Sequence, residues 1–234
     1  MYRPETQLTL RLTPQEIFSI DNFIFGSEEL DLIVDIFCQE AKPDFLYLWG
    51  ESGVGKTHLS LAISEQMQRY GWQVSYINLR ELRDTAQPDV LPSLMQSDVL
   101  CLDDVQAISG NTAWEESFFH CFNNLRERQQ KLLICAEQNP GQINIGLPDL
   151  RSRLATGLVY QLPSMNDALK QQALISHAQS RGLILPEEVA HFLLRHYSRD
   201  MPSLMLVLQR LDKASLQAQR RLTIPFVREV IQHG

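Results

Sequence analysis

The sequence predicts an α/β fold: a parallel sheet covered by helices on both sides, followed by a smaller all-helical unit. Three observations predict it. Short apolar runs at residues 45–49, 73–79, 99–104, 131–136 and 158–162 alternate with stretches of helical period, and runs read as apolar on both faces belong to parallel sheets. Directly after the first run, Gly50-Glu51-Ser52-Gly53-Val54-Gly55-Lys56-Thr57 fits the G-x-x-x-x-G-K-[ST] pattern of a phosphate-binding loop. Beyond Pro163 the strand signals stop and only helical periods remain.

The chemistry of the loop follows from its residues. Glycines let consecutive backbone N–H groups turn inward, and the helix that follows adds the positive end of its dipole, so the segment is an anion cradle. Gly50, Gly53, Val54 and Gly55 build the cradle, Lys56 reaches the β- and γ-phosphates, and the Thr57 hydroxyl is a ligand for Mg²⁺. A chance glycine-rich turn is the competing reading. The flanks oppose it: Phe45-Leu46-Tyr47-Leu48-Trp49 precedes as a strand, and Leu59, Ala62, Ile63, Met67 and Tyr70 follow at helical spacing until Gly71.

The 234 residues allow one large or two modest domains. Charge is uneven: residues 1–150 carry 10 Lys/Arg against 22 Asp/Glu, net −12, and residues 151–234 carry 11 against 6, net +5. The overall −7 argues against a basic nucleic-acid binder. The C-terminal excess fits either solvated helices or a DNA face. Cys38, Cys101, Cys121 and Cys135 lack CxxC spacing and read as core thiols of a reducing cytosol. No signal peptide or membrane span is legible, so a cytoplasmic protein without a membrane partner is expected.

In chain order, Gln7-Leu8-Thr9-Leu10-Arg11-Leu12 sets three leucines at period two, as an edge strand or as a peptide whose leucines enter a partner's pockets. Helices are expected over residues 27–40, 88–96 and 112–129, the last opened by the capping-box spacing of Thr112 and Glu115. Val99-Leu100-Cys101-Leu102-Asp103-Asp104 ends a buried run in two carboxylates. In a strand adjacent to the phosphate-loop strand, Asp103 would lie beside Mg²⁺ and Asp104 where it can orient or deprotonate a water. A turn or helix N-cap would also favour Asp; the upstream loop tips the reading toward the metal. Gly50, Asp103 and Glu137 all fall at carboxyl ends of strands, where such sheets bind ligands. Leu147-Pro148-Asp149-Leu150-Arg151-Ser152-Arg153-Leu154 reads as a helix start with two arginines in its first turns. Four helices follow, over residues 166–181, 186–197, 202–219 and 225–232. The six histidines lack metal-ligand spacing, and His191 and His196 read as helix-surface residues.

GESGVGKT and VLCLDD are shared by many P-loop NTPases. With LLICAEQNP, GLPDLRSRL, LDKAS, RRLTIPFVREVI and the N-terminal QLTLRL, the chain over essentially its whole length resembles AAA+ ATPases of the bacterial replication-initiator type, within them the small DnaA-homologous regulators of the Hda type. The resemblance implies a five-stranded AAA+ domain at 15–163, a helical lid at 164–234, and a peptide at 1–14. In that peptide Gln7, Leu8, Leu10 and Leu12 would dock on the DNA polymerase III β sliding clamp, with Arg11 where a proline is often found. It implies an adenine nucleotide, ADP or ATP, with Mg²⁺: Asp21-Asn22-Phe23 resembles the segment that lines the adenine pocket, with ordinary core packing the plainer reading of Phe23, and His58 is a further nucleotide-binding candidate. Arg153 matches the arginine-finger position; assembly through AAA+ faces, as a homo-oligomer or with DnaA, would bring it to a neighbour's nucleotide. The plainer alternative is that Arg151 or Arg153 pairs with surface carboxylates.

Two departures are visible. Glu137 stands at the sensor 1 position where initiator relatives place Asp, with Asn139 a second polar candidate, and Pro202 stands where the lid's sensor 2 arginine is expected. A proline can open a helix but brings the phosphates no charge. Weak intrinsic hydrolysis is therefore expected, with Asp104, Glu137 and Arg153 as the catalytic candidates. The function implied is negative regulation of DNA replication initiation: linking DnaA to the clamp and stimulating hydrolysis of DnaA-bound ATP, with DNA contacted mainly through those partners. The chain stops at Gly234 without a helix-turn-helix module, which matches a regulator better than an initiator. The rival readings are a self-sufficient ATPase, such as a helicase or clamp-loading motor, and a clamp-binding nucleotide sensor.

Overall fold

The computed structural model describes residues 18–39, 44–94, 96–198 and 200–232. The expected docking residues Gln7, Leu8, Leu10 and Leu12 lie outside them. The strands are β1 (Phe45–Trp49), β2 (Val74–Asn78), β3 (Val99–Asp103), β4 (Lys131–Ala136) and β5 (Leu158–Gln161). All pair in parallel, in the order β2-β3-β4-β1-β5.

Side chains alternate between two cores, as the period of a strand requires. Phe45 and Tyr47 join Leu100, Leu102, Leu132 and Ile134 on one face; Leu46 and Leu48 join Val99, Cys101, Leu133 and Cys135 on the other. The first face is covered by Phe118, Phe122 and Leu125 of α4 (Thr112–Glu127) and Leu150 and Leu154 of α5 (Pro148–Leu154). The second is covered by Leu30, Val34 and Phe37 of α1 (Glu28–Gln39) and Leu59, Ile63 and Met67 of α2 (Lys56–Arg69).

Four expectations need correction. The carboxylate strand β3 is not adjacent to β1: β4 lies between, paired Phe45↔Leu132 on one side and Val99↔Lys131 on the other. All six β4 residues are buried, which suits the central place. Not every strand is apolar on both faces, because β2 and β5 are the edges and only partly buried. Residues 88–94 form a 3₁₀ helix, consistent with the internal Pro92, which lacks the N–H an α-helix needs. Finally, Asn111 rather than Thr112 caps α4, accepting from the Trp114 N–H at 3.4 Å, and Glu115 is left for another task. An additional short helix, α3 (Leu79–Thr85), follows β2; the Asn78 side chain caps it by accepting from the N–H of Arg80 and of Glu81. Seven residues are too few to show a helical period in the sequence.

The lid comprises α6 (Asp167–Ser180), α7 (Glu187–His196), α8 (Met201–Ala218) and α9 (Ile224–Gln232), packed around Leu174, Leu193, Leu204, Leu208, Leu211 and Val227. Ile24 and Met165 pack against this lid core and tie it to the sheet domain. All four thiols are buried in the body, and burial pushes those of Cys38, Cys101 and Cys121 up to about 12. They stay protonated and serve as small apolar groups. No described helix is long and apolar enough to cross a membrane.

Candidate functional site

A cleft of about 530 Å³ opens where β1 gives way to α2, between body and lid. The chain enters α2 through Gly55, which stands at φ 99°, and passes Gly53 at φ 81°. Both glycines are needed twice over. Their backbone is left-handed, and a Cβ on Gly53 would come within 3.1 Å of Pro202 Cδ while one on Gly55 would meet Phe23 at 3.3 Å. The loop is thus a cradle closed on both sides by side chains, and it fits a phosphate group bound through backbone N–H groups.

Lys56 is buried beneath the loop, donating to the carbonyls of Gly50 and Glu51 at 2.7 and 2.8 Å. Behind it lies the carboxylate pair. Asp103 is fully buried; it accepts from the Thr57 hydroxyl at 2.6 Å, the Tyr76 hydroxyl at 2.9 Å and the Asp104 N–H at 2.9 Å. Burial raises its carboxyl above the ordinary range, opposed by the hydrogen bonds from Thr57 and Tyr76. Thr57 and Asp103 form a hard-oxygen pair of the kind that would hold Mg²⁺. Although β4 separates their strands, the start of α2 brings Thr57 to the end of β3.

Asp104 is in a different environment. It sits at φ 58° with its side chain in the cleft, accepting from Gln106 at 2.8 Å, from the Arg80 Nε at 3.2 Å and from Asn78 at 3.4 Å. Glu137 lines the same end with an exposed side chain, while its backbone N–H donates to Gln106. Asn139 accepts from the N–H of Gly141 at 2.9 Å and is not among the cleft's lining residues, whereas Glu137 is.

At the opposite end the cleft is lined by aromatic rings. His58 lies edge-on to Phe18 and Phe23, with centroids 5.2 and 5.4 Å away, and 5.8 Å from His177 of the lid. Its Nε2 is 3.1 Å from the Asn22 side-chain oxygen, which makes that nitrogen the donor. Burial, then the nearby His177, pushes the His58 imidazole down to about 4. Ser176 of α6 donates to the Asn22 carbonyl at 3.2 Å, so Asn22 links the body, the aromatic end of the cleft and the lid.

The structure therefore gathers Asn22, Phe23, Gly53, Gly55, Lys56, Thr57, His58, Asp104 and Glu137 around one cleft. Gly50 and Val54 stand back from it. The Gly50 Cα faces the Leu162 carbonyl, and the Val54 side chain belongs to the core. Arg153 is elsewhere: it projects from α5 with its guanidinium carbon 5.0 Å from the centroid of Phe119. Among the described residues neither Arg151 nor Arg153 is in an ion pair. Sequence reasoning missed Arg80, His177, Met165, Met201 and Met205. Each owes its place to the approach of a separate element, and no local spacing announces it.

A family model of the bacterial DnaA ATPase domain matches residues 15–161, and one of the Hda lid domain matches residues 167–231. The chain is an Hda-type member of the DnaA family. Its fold is that of domain III of DnaA from Thermotoga maritima, at 21% identity over 92% of this chain and 96% of that one, with a TM-score of 0.77. AMPPCP-bound DnaA from Aquifex aeolicus is similar at 22% identity, covering 88% of this chain and 67% of that one, TM-score 0.68. The Holliday junction branch migration motor RuvB of T. maritima shares 19% identity over 93% and 72%, TM-score 0.67. The Hda-type chain is thus a DnaA-related AAA+ protein, with the sheet domain and lid that its sequence resemblance implied.

Proposed function

We propose that this chain is an adenine-nucleotide-holding adaptor that restrains replication initiation by stimulating hydrolysis of ATP bound to DnaA while docked on the sliding clamp through residues 7–12. The observation that carries the reading is the separation of Arg153 from the chain's own cleft. An arginine on α5, outside that cleft, can serve a nucleotide held by a neighbour, where its guanidinium stabilises charge developing on the γ-phosphate oxygens as water displaces the leaving diphosphate.

The chain's own cleft supports a holding role. Asp104 is engaged by three donors, and Pro202 and Asp200 meet Gly53 from the lid side. Among the described lid residues lining the cleft there is no Lys or Arg. A bound nucleotide would supply phosphates for the loop and Lys56, with Thr57 and Asp103 as the protein side of a Mg²⁺ site. The chain's residues meanwhile enclose the base end and join lid to body.

The test is hydrolysis of DnaA-bound ATP with DNA-loaded clamp present. Arg153→Ala is expected to lower stimulation by ~10³-fold or more while clamp binding is retained; Gln7→Ala with Leu8→Ala should lose clamp binding. Full stimulation by Arg153→Ala would reject the finger. Robust turnover by the isolated chain, abolished by Asp104→Asn, would instead favour a self-sufficient ATPase.

A further inference from the structure

Arg153 is held by an aromatic ring and not by a carboxylate. Its guanidinium rests over the half-buried Phe119 ring and, among the described residues, makes no hydrogen bond or ion pair. A carboxylate in that place would occupy N–H donors and offset the charge. An aromatic face attracts the cation through its quadrupole while leaving all five N–H groups of the edge free.

Phe119 is on α4, one helical turn after Glu115. Glu115 is buried, and its carboxylate accepts three backbone N–H groups: Gly110 at 2.8 Å, Gly146 at 3.1 Å and Leu147 at 2.8 Å. Leu147 is the residue from which α5 starts. One face of α4 therefore fixes both the origin of the arginine's helix and the direction of its side chain. Leu150 and Leu154 complete the attachment by packing into the core that α4 covers.

We propose that Phe119 and Glu115 are positioning residues for a trans-acting Arg153, with the Phe119 ring orienting the guanidinium toward an anionic group on a partner without spending its donors. The proposal rests on the finger reading above. It departs from a packing role for Phe119, because packing alone would be satisfied by any apolar side chain of similar bulk.

Phe119→Leu and Phe119→Tyr separate the two. Leu keeps apolar contact without a π face; Tyr keeps the ring. In the DnaA-bound ATP assay with DNA-loaded clamp, Phe119→Leu is expected to lower the maximal stimulated rate roughly three- to fivefold. The half-saturating concentration should stay unchanged, and Phe119→Tyr should match wild type. Side-chain proton resonances of Arg153, identified by their loss in Arg153→Ala, should move downfield in Phe119→Leu as the ring current is removed. Binding of a fluorescent adenine nucleotide to the variant's own cleft monitors the fold. Full stimulation by Phe119→Leu alongside an inactive Arg153→Ala would overturn the positioning role alone. Full stimulation by Arg153→Ala would overturn the finger reading and this proposal with it. A Tyr variant as impaired as Leu, with intact nucleotide binding, would also overturn the role of the ring.

Discussion

Adjacent carboxylates have been given different work by their surroundings. Asp103 is buried and receives three hydrogen bonds, two of them from the hydroxyls of Thr57 and Tyr76, whereas Asp104 turns into the cleft and receives a guanidinium. The first is an oxygen donor fixed behind the phosphate cradle. The second is a potential base whose lone pairs are occupied by Arg80, Asn78 and Gln106. The Arg80 contact is half exposed, and ion pairs of that kind are weak. Arg80→Ala is therefore expected to raise ATP turnover by the isolated chain by roughly two- to fivefold, and adding Asp104→Asn should cancel the gain. Single-turnover kinetics check this; turnover unchanged from wild type would remove Arg80 as a restraint on Asp104.

At the scale of elements, what matters is how each segment is delivered to the cleft. The insertion of β4 between β1 and β3 puts Glu137 at the centre of the sheet's carboxyl edge, between the loop after β1 and the carboxylates after β3. On the other side of β1, the turn from α5 into β5 passes so close to the strand that a Cβ on Gly157 would lie 2.5 Å from Phe45 Cδ1. Phe45 cannot give way easily, since it is buried and meets Phe122 edge-on at 5.3 Å. Gly157→Ala should therefore destabilise the fold by about 1–3 kcal/mol. Urea unfolding reads the effect as a lower midpoint at unchanged slope. A midpoint equal to wild type would mean that the turn relaxes freely.

Across the whole molecule, the seam between body and lid is made at the aromatic end of the cleft, by Asn22, His58, Ser176 and His177. The seam carries a pH dependence. The folded-state pKa of His58 is depressed to about 4 from the 6.5 of a free imidazole, so between these values the unfolded chain binds more protons than the folded one. Stability contributed by the neutral imidazole is complete above pH 6.5 and is lost as pH falls toward 4. Denaturation at pH 7 and pH 5 should show a larger loss for wild type than for His58→Gln, which has nothing to protonate there. An equal loss in both proteins would assign the acid sensitivity to other groups.

The phosphate loop, the carboxylate pair, the strand–helix alternation and the helical lid were all legible in the residues. Each is written in local patterns: a glycine spacing, an apolar run with its terminal acids, a helical period closed by Gly or Pro. Thr57 and Asp103, each expected from its motif as a Mg²⁺ ligand, are hydrogen-bonded to one another although β4 lies between β1 and β3. Local patterns say nothing about which strand takes the middle of a parallel sheet, because a buried strand reads the same in either place. Nor do they show that Arg80 reaches Asp104, that His177 crosses from the lid to His58, or that Glu115 bridges the turn before its own helix and the loop before α5. By itself the sequence determined the elements and the chemistry each can carry. The tertiary structure alone decided their meetings, since contacts between distant segments depend on packing geometry that no short stretch encodes.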